Sequence, residues 1–138
     1  MQALVISTTR RYAEIATPEH GIMLAKHAVG NLDLVVGDLV SVSVHQGEYI
    51  IDSILKRENE FKRSFENRTK LLSSNLSLLI VLTQPLPHTN LSFIDRVLCQ
   101  ATTENIPVCL ILNKCDITDS LPQTIELLSY YGPIGEER

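Results

Sequence analysis

Residues Pro107-Val108-Cys109-Leu110-Ile111-Leu112 form an unbroken apolar run, and the tetrapeptide Asn113-Lys114-Cys115-Asp116 follows it without a spacer. A run of this length that stops abruptly in polar residues reads as a buried parallel strand. The carboxyl end of such a strand is where open α/β sheets place ligand contacts. The residue types suit one ligand, guanine. A carboxylate at Asp116 can accept two parallel hydrogen bonds from the N1 imino and N2 amino groups of the base, a donor pair that adenine lacks. Asn113 can bond the O6/N7 edge or brace neighbouring loops, and the Lys114 stem can lie flat on the ring. Identity matters least at Cys115. Asn-Lys-any-Asp arises by accident in roughly a few per cent of chains this long, so the preceding strand tips the balance toward a base-reading loop.

Such a loop normally works with a phosphate-binding loop of the form Gly-x-x-x-x-Gly-Lys-Ser/Thr, whose backbone amides must approach phosphates without Cβ interference. None of the six glycines (Gly21, Gly30, Gly37, Gly47, Gly132, Gly135) belongs to one. Either the chain is no GTPase, or its parts are permuted and it stops before the phosphate loop.

The first 55 residues are punctuated for β structure. Ala3 to Ser7, Tyr12 to Ala16, Ile22 to Ala25, Leu39 to Val44 and Tyr49 to Leu55 are short β-prone runs separated by turn residues. Val36-Gly37-Asp38 is a turn feeding a strand that alternates inward valines with outward serines, as a barrel wall requires. Five such strands suggest a small closed barrel, OB-like, with an SH3-like barrel as the alternative. Residues 56–70 carry six of the twelve lysines and arginines, interrupted by Glu58, Glu60 and Glu66. They read as a charged linker, either a solvated connector or a segment touching phosphate.

Residues 71–138 read as a partial α/β unit. Leu76 to Leu82 is a second apolar strand. A helix follows with Ser92 as N-cap and Ile94, Val97, Leu98 and Ala101 on one face. The motif-bearing strand comes next, with Cys109 in its core. A second helix starts near Ser120, with Gln123 completing a capping-box pattern, and stops before Gly132-Pro133. Two strands and two helices cannot cover both faces of a sheet, so this unit looks unfinished.

A small barrel, a basic linker, an Asn75-ended approach to an apolar strand, the helix segment Ile94-Asp95-Arg96-Val97-Leu98 and then Leu110-Ile111-Leu112-Asn113-Lys114-Cys115-Asp116-Ile117 together resemble the circularly permuted, ribosome small-subunit-dependent GTPases, the RsgA/YjeQ family. The resemblance covers about residues 3 to 132. It implies an N-terminal OB domain that contacts the small ribosomal subunit and its 16S rRNA, and a GTPase core whose base-reading loop precedes its phosphate loop. It also implies GTP or GDP with magnesium as cofactors in a full-length protein, and zinc only in a C-terminal domain absent here. Asn113, Lys114 and Asp116 then become guanine contacts, and hydrolysis late in 30S maturation would depend on residues beyond Arg138, leaving this chain inactive alone. Asn75-Leu76-Ser77 departs from the family's Asn-Val-Asp step. Tyr130 to Gly135 resembles the approach to the second base-contacting loop. The alternative is a non-catalytic ribosome- or RNA-binding module with a vestigial GTPase core.

Charge limits where RNA could bind. The chain carries a formal net charge of −4, and the barrel segment has three basic residues against six acidic ones, so contact with rRNA needs a local patch. The candidates are Arg10, Arg11, Lys26, Lys56 and Arg57. No run of 18 apolar residues could span a membrane, and no signal peptide is visible at Met1. Cys99, Cys109 and Cys115 lack Cys-x-x-Cys spacing, and the four histidines lack zinc spacing, so reduced thiols, a cytoplasmic location and no metal site are expected.

Overall fold

The computed structural model describes residues 1–28, 33–85 and 90–131. The chain divides into two compact units, Met1–Leu76 and Ser77–Arg138.

The first unit holds a closed barrel built from β1 (Gln2–Thr8), β2 (Tyr12–Thr17), β3 (Gly21–His27), β4 (Leu39–His45) and β5 (Glu48–Ile54). The strands run in the order β1-β2-β3-β5-β4, and antiparallel pairing of β1 with β4 closes the ring. β3 and β5 pair in parallel, Ala25 with Tyr49 through His27 with Ile51. This is the OB-like barrel expected from the five β-prone runs. Closure leaves no barrel strand with a free hydrogen-bonding edge. Alternation supplies the core: Ala3, Val5, Ala13, Ile15, Val40, Val42 and Ile51 point inward and are buried. Ser41 and Ser43 lie outward, as the sequence pattern requires, although Val44 at the strand's end is exposed. Register shifts that leave Ile6 of β1 and Asp52 of β5 without a ladder partner let these two strands bend around the small circumference. Gln46 and Gly47, both with positive φ, make the two-residue β4–β5 turn.

Residues 56–70 are not a linker. β6 (Glu60–Phe65) and β7 (Arg68–Ser74) form an antiparallel hairpin, with Lys62 opposite Leu71, Arg63 opposite Lys70 and Ser64 opposite Thr69. Its turn is Glu66-Asn67, with φ 44 and 63, the geometry of a type I′ hairpin turn made without glycine. The missing glycine and the charged strands are why the segment shows no strand signal in sequence. Neither face of this ribbon is an apolar stripe, so period-2 hydrophobicity cannot mark it.

An ion-centred network ties the hairpin to the barrel. Asp38 is fully buried, and its carboxylate accepts from Arg57 Nε (2.7 Å) and Nη2 (2.9 Å), Ser74 Oγ (2.5 Å) and the Val35 amide (2.9 Å). Arg57 also donates to Glu60 Oε1 and the Asp33 carbonyl. Asn75, with φ 52, donates to the Gly37 carbonyl and accepts from the Glu58 amide. Asn59 exchanges two bonds with the Leu76 backbone. Gly37 sits at φ +97 with the Ser74 carbonyl oxygen only 2.0 Å from where a Cβ would be. Only glycine allows that approach. The first unit therefore runs through the hairpin to Leu76, beyond the expected barrel limit at residue 55.

The second unit is a β-α-β-α segment: β8 (Leu79–Thr83), α1 (Leu91–Thr103), β9 (Val108–Leu112) and α2 (Leu121–Ser129). β8 and β9 pair in parallel, Leu79 with Val108 through Thr83 with Leu112. The first strand starts at Leu79 rather than Leu76. The N-cap of α1 is Asn90, whose side chain accepts from the Ser92 amide at 2.9 Å. Ser92 lies two residues inside the helix, so the earlier and stronger cap defines the start. Ile94 and Ala101 are buried, as their spacing requires, with Val97 and Leu98 partly covered. Ser120 stands at the N-cap of α2, but its side chain makes no capping bond, so no capping box forms with Gln123. Tyr131 is buried, and its hydroxyl donates to Asp95 at 2.8 Å, joining the two helices. Gly132 to Gly135, the approach to a second base-contacting loop, lies outside the described residues.

The apolar strands are covered on one side. Val81 and Thr83 are buried, whereas Ile80, Leu82, Cys109 and Ile111 are exposed. Cys109 is thus not a core residue. It pairs with Ile80 on the uncovered face of the sheet.

Candidate guanine-reading loop

The two parallel strands end together, and the polar tetrapeptide begins at that edge. Thr83, buried at the end of β8, donates its hydroxyl to the Ile111 carbonyl at 3.1 Å, and its own carbonyl accepts from the Asn113 amide at 2.8 Å. Asn113 therefore continues the ladder, and the chain turns only after it. Lys114 takes the left-handed conformation at φ 56, costly for a lysine, and is held there from both sides. Asn113 Oδ1 accepts from the Lys114 amide at 2.9 Å, and the Lys114 carbonyl accepts from Ile117 at 3.0 Å. Cys115 Sγ contacts the Leu112 carbonyl at 3.4 Å.

The result is a short, internally braced loop that exposes Asn113, Lys114, Cys115 and Asp116. Sequence reading placed Asn113, Lys114 and Asp116 on one loop, and the structure sets that loop at the carboxyl edge of a parallel sheet. Among the described residues neither the Asp116 carboxylate nor the Lys114 ammonium group has an ion-pair or hydrogen-bond partner. An unengaged carboxylate beside a flexible cationic stem can take a planar ligand with paired N–H donors.

The five basic candidates separate into three environments. Arg10 and Arg11 are exposed in the turn from β1 to β2, where the Arg11 carbonyl accepts from His27, so Arg11 neighbours Lys26 at one end of the barrel. Lys26 is engaged by the Glu48 carboxylate at 2.5 and 2.7 Å, and that hydrogen bond holds its pKa above the ordinary lysine value. Lys56 is exposed. Arg57 is the departure: its side chain is 17% exposed and every contact it makes is internal. Hydrogen bonding by Asp38 raises its pKa further, and it serves as a structural cation. Sequence reasoning passed over its partner Asp38, seen only as part of a weak turn motif, and the Ser74 hydroxyl that completes the site. Among the described residues no group of three or more His, Cys, Asp or Glu side chains could hold a metal ion, and no helix is long and apolar enough to cross a membrane.

A closed OB-like barrel followed by a parallel β-α-β unit that ends in an Asn-Lys-x-Asp loop defines a permuted GTPase-type architecture. The family model described as RsgA GTPase matches residues 54–137, well over half of the sequence, and the chain belongs to the RsgA GTPase family. Among its relatives are proteins named small ribosomal subunit biogenesis GTPase RsgA. The one from Neisseria meningitidis serogroup C is 29% identical over 136 residues, which cover 96% of this chain and 43% of that protein. The one from Actinobacillus pleuropneumoniae is 28% identical over 144 residues, covering 99% and 42%. The chain thus spans less than half the length of these relatives. The crystal structure of YjeQ from Thermotoga maritima shares the fold, with a TM-score of 0.72 at 23% identity, over 96% of this chain and 48% of that one.

Proposed function

We propose that this chain supplies guanine recognition and ribosome attachment to a GTP-dependent step in late maturation of the small ribosomal subunit. The observation that carries the reading is the braced loop at the end of β9, with its exposed and unengaged Asp116. In this reading Asp116 accepts from N1 and N2 of guanine, the Lys114 stem covers the ring, and Asn113 holds the loop through the Lys114 amide. The names of the relatives support the biogenesis role and the small subunit as partner. Residues 1–76 act as the attachment unit toward 16S rRNA, with Arg10, Arg11, Lys26 and Lys56 as candidate contacts, and residues 77–138 as the base-reading part of the GTPase domain. The donor set of the loop fits the base of GTP or GDP. Magnesium and the phosphates would need the phosphate-loop lysine and hydroxyl, which this sequence does not contain.

The test is a nitrogen–proton correlation spectrum of the labelled chain titrated to millimolar guanosine or adenosine. Guanosine should shift the amides of Asn113 to Ile117, and adenosine should leave them in place. Equal responses, or none to guanosine, would remove the base-reading assignment. If binding to small subunits survived that outcome, the non-catalytic binding module would stand in its place.

A further inference from the structure

Thr83 is a polar residue at the end of a strand that is otherwise apolar, Leu79-Ile80-Val81-Leu82. It is 1% exposed, and Val81 is the other buried residue of that strand. Valine has the same branched shape, so the covered side of the sheet does not need a hydroxyl at this position, and burying one is unfavourable unless it is bonded. The bond it makes is to β9. Its hydroxyl donates to the Ile111 carbonyl at 3.1 Å, while its own carbonyl accepts from the Asn113 amide at 2.8 Å. Thr83 therefore grips β9 on both sides of Leu112, its partner in the ladder, at the last point before the chain leaves the sheet.

The loop beyond that point hangs from Asn113. Its Oδ1 holds the Lys114 amide, and Lys114, at φ 56, holds the Ile117 amide through its carbonyl. The Cys115 thiol also reaches the Leu112 carbonyl, at 3.4 Å, but an exposed S–H is a weak donor. Strand ends open locally at low cost. If Asn113 parts from Thr83, its side chain moves off the Lys114 amide, and the left-handed conformation of Lys114 loses what offsets its cost. Asp116 is displaced with it. A loop that holds its binding geometry only part of the time binds more weakly by that fraction. We propose that Thr83 is a positioning residue for guanine recognition: its hydroxyl secures the last rung of the parallel ladder and so keeps residues 113–117 in the geometry that presents Asp116. The proposal rests on the base-reading assignment above and extends it to a residue outside the tetrapeptide, one that acts through Asn113 and not on the base.

The experiment follows the labelled 138-residue chain and its Thr83→Val and Thr83→Ser variants by nitrogen–proton spectroscopy, first without nucleotide and then with guanosine. Thr83→Val keeps the shape and removes the donor. Hydrogen exchange of the Asn113 and Ile117 amides should quicken about fivefold, the worth of one net hydrogen bond, relative to the Leu79 amide. Leu79 is bonded to the Pro107 carbonyl at 2.8 Å, at the far end of the same ladder. Guanosine affinity should fall by a similar factor, and the melting temperature should stay the same or rise. Thr83→Ser, which restores the hydroxyl, should bring both the exchange ratio and the affinity back to within about twofold of the parent. The role is overturned if Thr83→Val leaves ratio and affinity unchanged, or if Thr83→Ser behaves like Thr83→Val. It is also overturned if Leu79 quickens as much as Asn113, which would make Thr83 a support for the whole sheet and nothing more. Those outcomes leave the base-reading assignment standing, whereas a parent chain whose loop amides ignore guanosine takes down that assignment and this role together.

Discussion

Replacing Asp38 by alanine removes the centre of the network that joins the barrel to the hairpin. The lost carboxylate accepts four bonds, two from Arg57 and one each from Ser74 and Val35. The guanidinium left behind is largely shielded from water and keeps only Glu60 and the Asp33 carbonyl. Removing one partner of a buried ion pair costs about 3–5 kcal/mol. The two contacts that Arg57 retains place the expected loss near the lower end, about 3 kcal/mol, and Asp38→Asn, which keeps the shape and part of the bonding, should cost about 2 kcal/mol. A double-mutant cycle with Arg57→Ala should return a coupling of about 2 kcal/mol, since each single change already orphans the other partner. Burial pushes the Asp38 carboxyl up, but hydrogen bonds from Arg57, then Ser74 and Val35, outweigh it and hold the pKa below its ordinary value of 3.8. A carboxyl depressed in the folded state contributes stability at pH above that value and loses it as pH falls through the folded pKa. The gap between the parent and Asp38→Asn should therefore be full at pH 6 and shrink below about pH 3.8. Hydrogen exchange of the Ile15 and Ile51 amides reads barrel opening without interference from the second unit. A loss under about 1 kcal/mol for Asp38→Ala, against the range expected for broken buried pairs, would refute the latch.

Gly37→Ala should cost more than about 2 kcal/mol in the same exchange measurement, because positive φ and a backbone collision add, whereas Gly47→Ala, at φ +79 with open space around it, should cost about 1 kcal/mol. Asn90→Ala should destabilise α1 by about 1 kcal/mol and Ser92→Ala by less than about 0.5, measured by exchange of the first-turn amides. The reverse order would restore Ser92 as the cap. In a longer protein containing this chain and a phosphate loop, Asp116→Asn should weaken GTP binding by about 2 kcal/mol in calorimetry and shift preference toward xanthosine nucleotides. Equal GTP affinity would take Asp116 out of the base pocket.

What could be read from the sequence followed from how each element is stabilised. The five barrel strands alternate over a shared core, so Val5, Ile15, Val40 and Ile51 announce themselves through period-2 spacing and turn residues. β9 and its loop are legible because a one-sided apolar run ends in a specific tetrapeptide. The β6–β7 hairpin was hidden for the opposite reason. One of its faces is polar at Glu60, Lys62 and Thr69, its turn is Glu-Asn, and it is held by a buried ion pair to a residue 19 positions upstream of Arg57. Long-range polar pairing leaves no local period. Cys109 misled for a related reason, since a one-sided sheet leaves alternate residues of an apolar run uncovered, and composition cannot say which.

Three residues that lie close in sequence are set apart by geometry alone. Arg57 and Arg63 are both arginines in a charged stretch and are indistinguishable by type. Arg57 faces a buried carboxylate, and separating it from Asp38 would strand two charges, so its charge is already committed to the fold. Lys62 is committed more loosely, 3.1 Å from Glu60, and the hydrogen bond from Lys62, followed by that from Arg57, holds the Glu60 carboxyl below its ordinary value. Arg63, one residue further on, alternates to the face where the opposing strand offers only Lys70. Residue type in a charged stretch therefore does not tell a cation committed to the fold from one that is not; the register of the hairpin does.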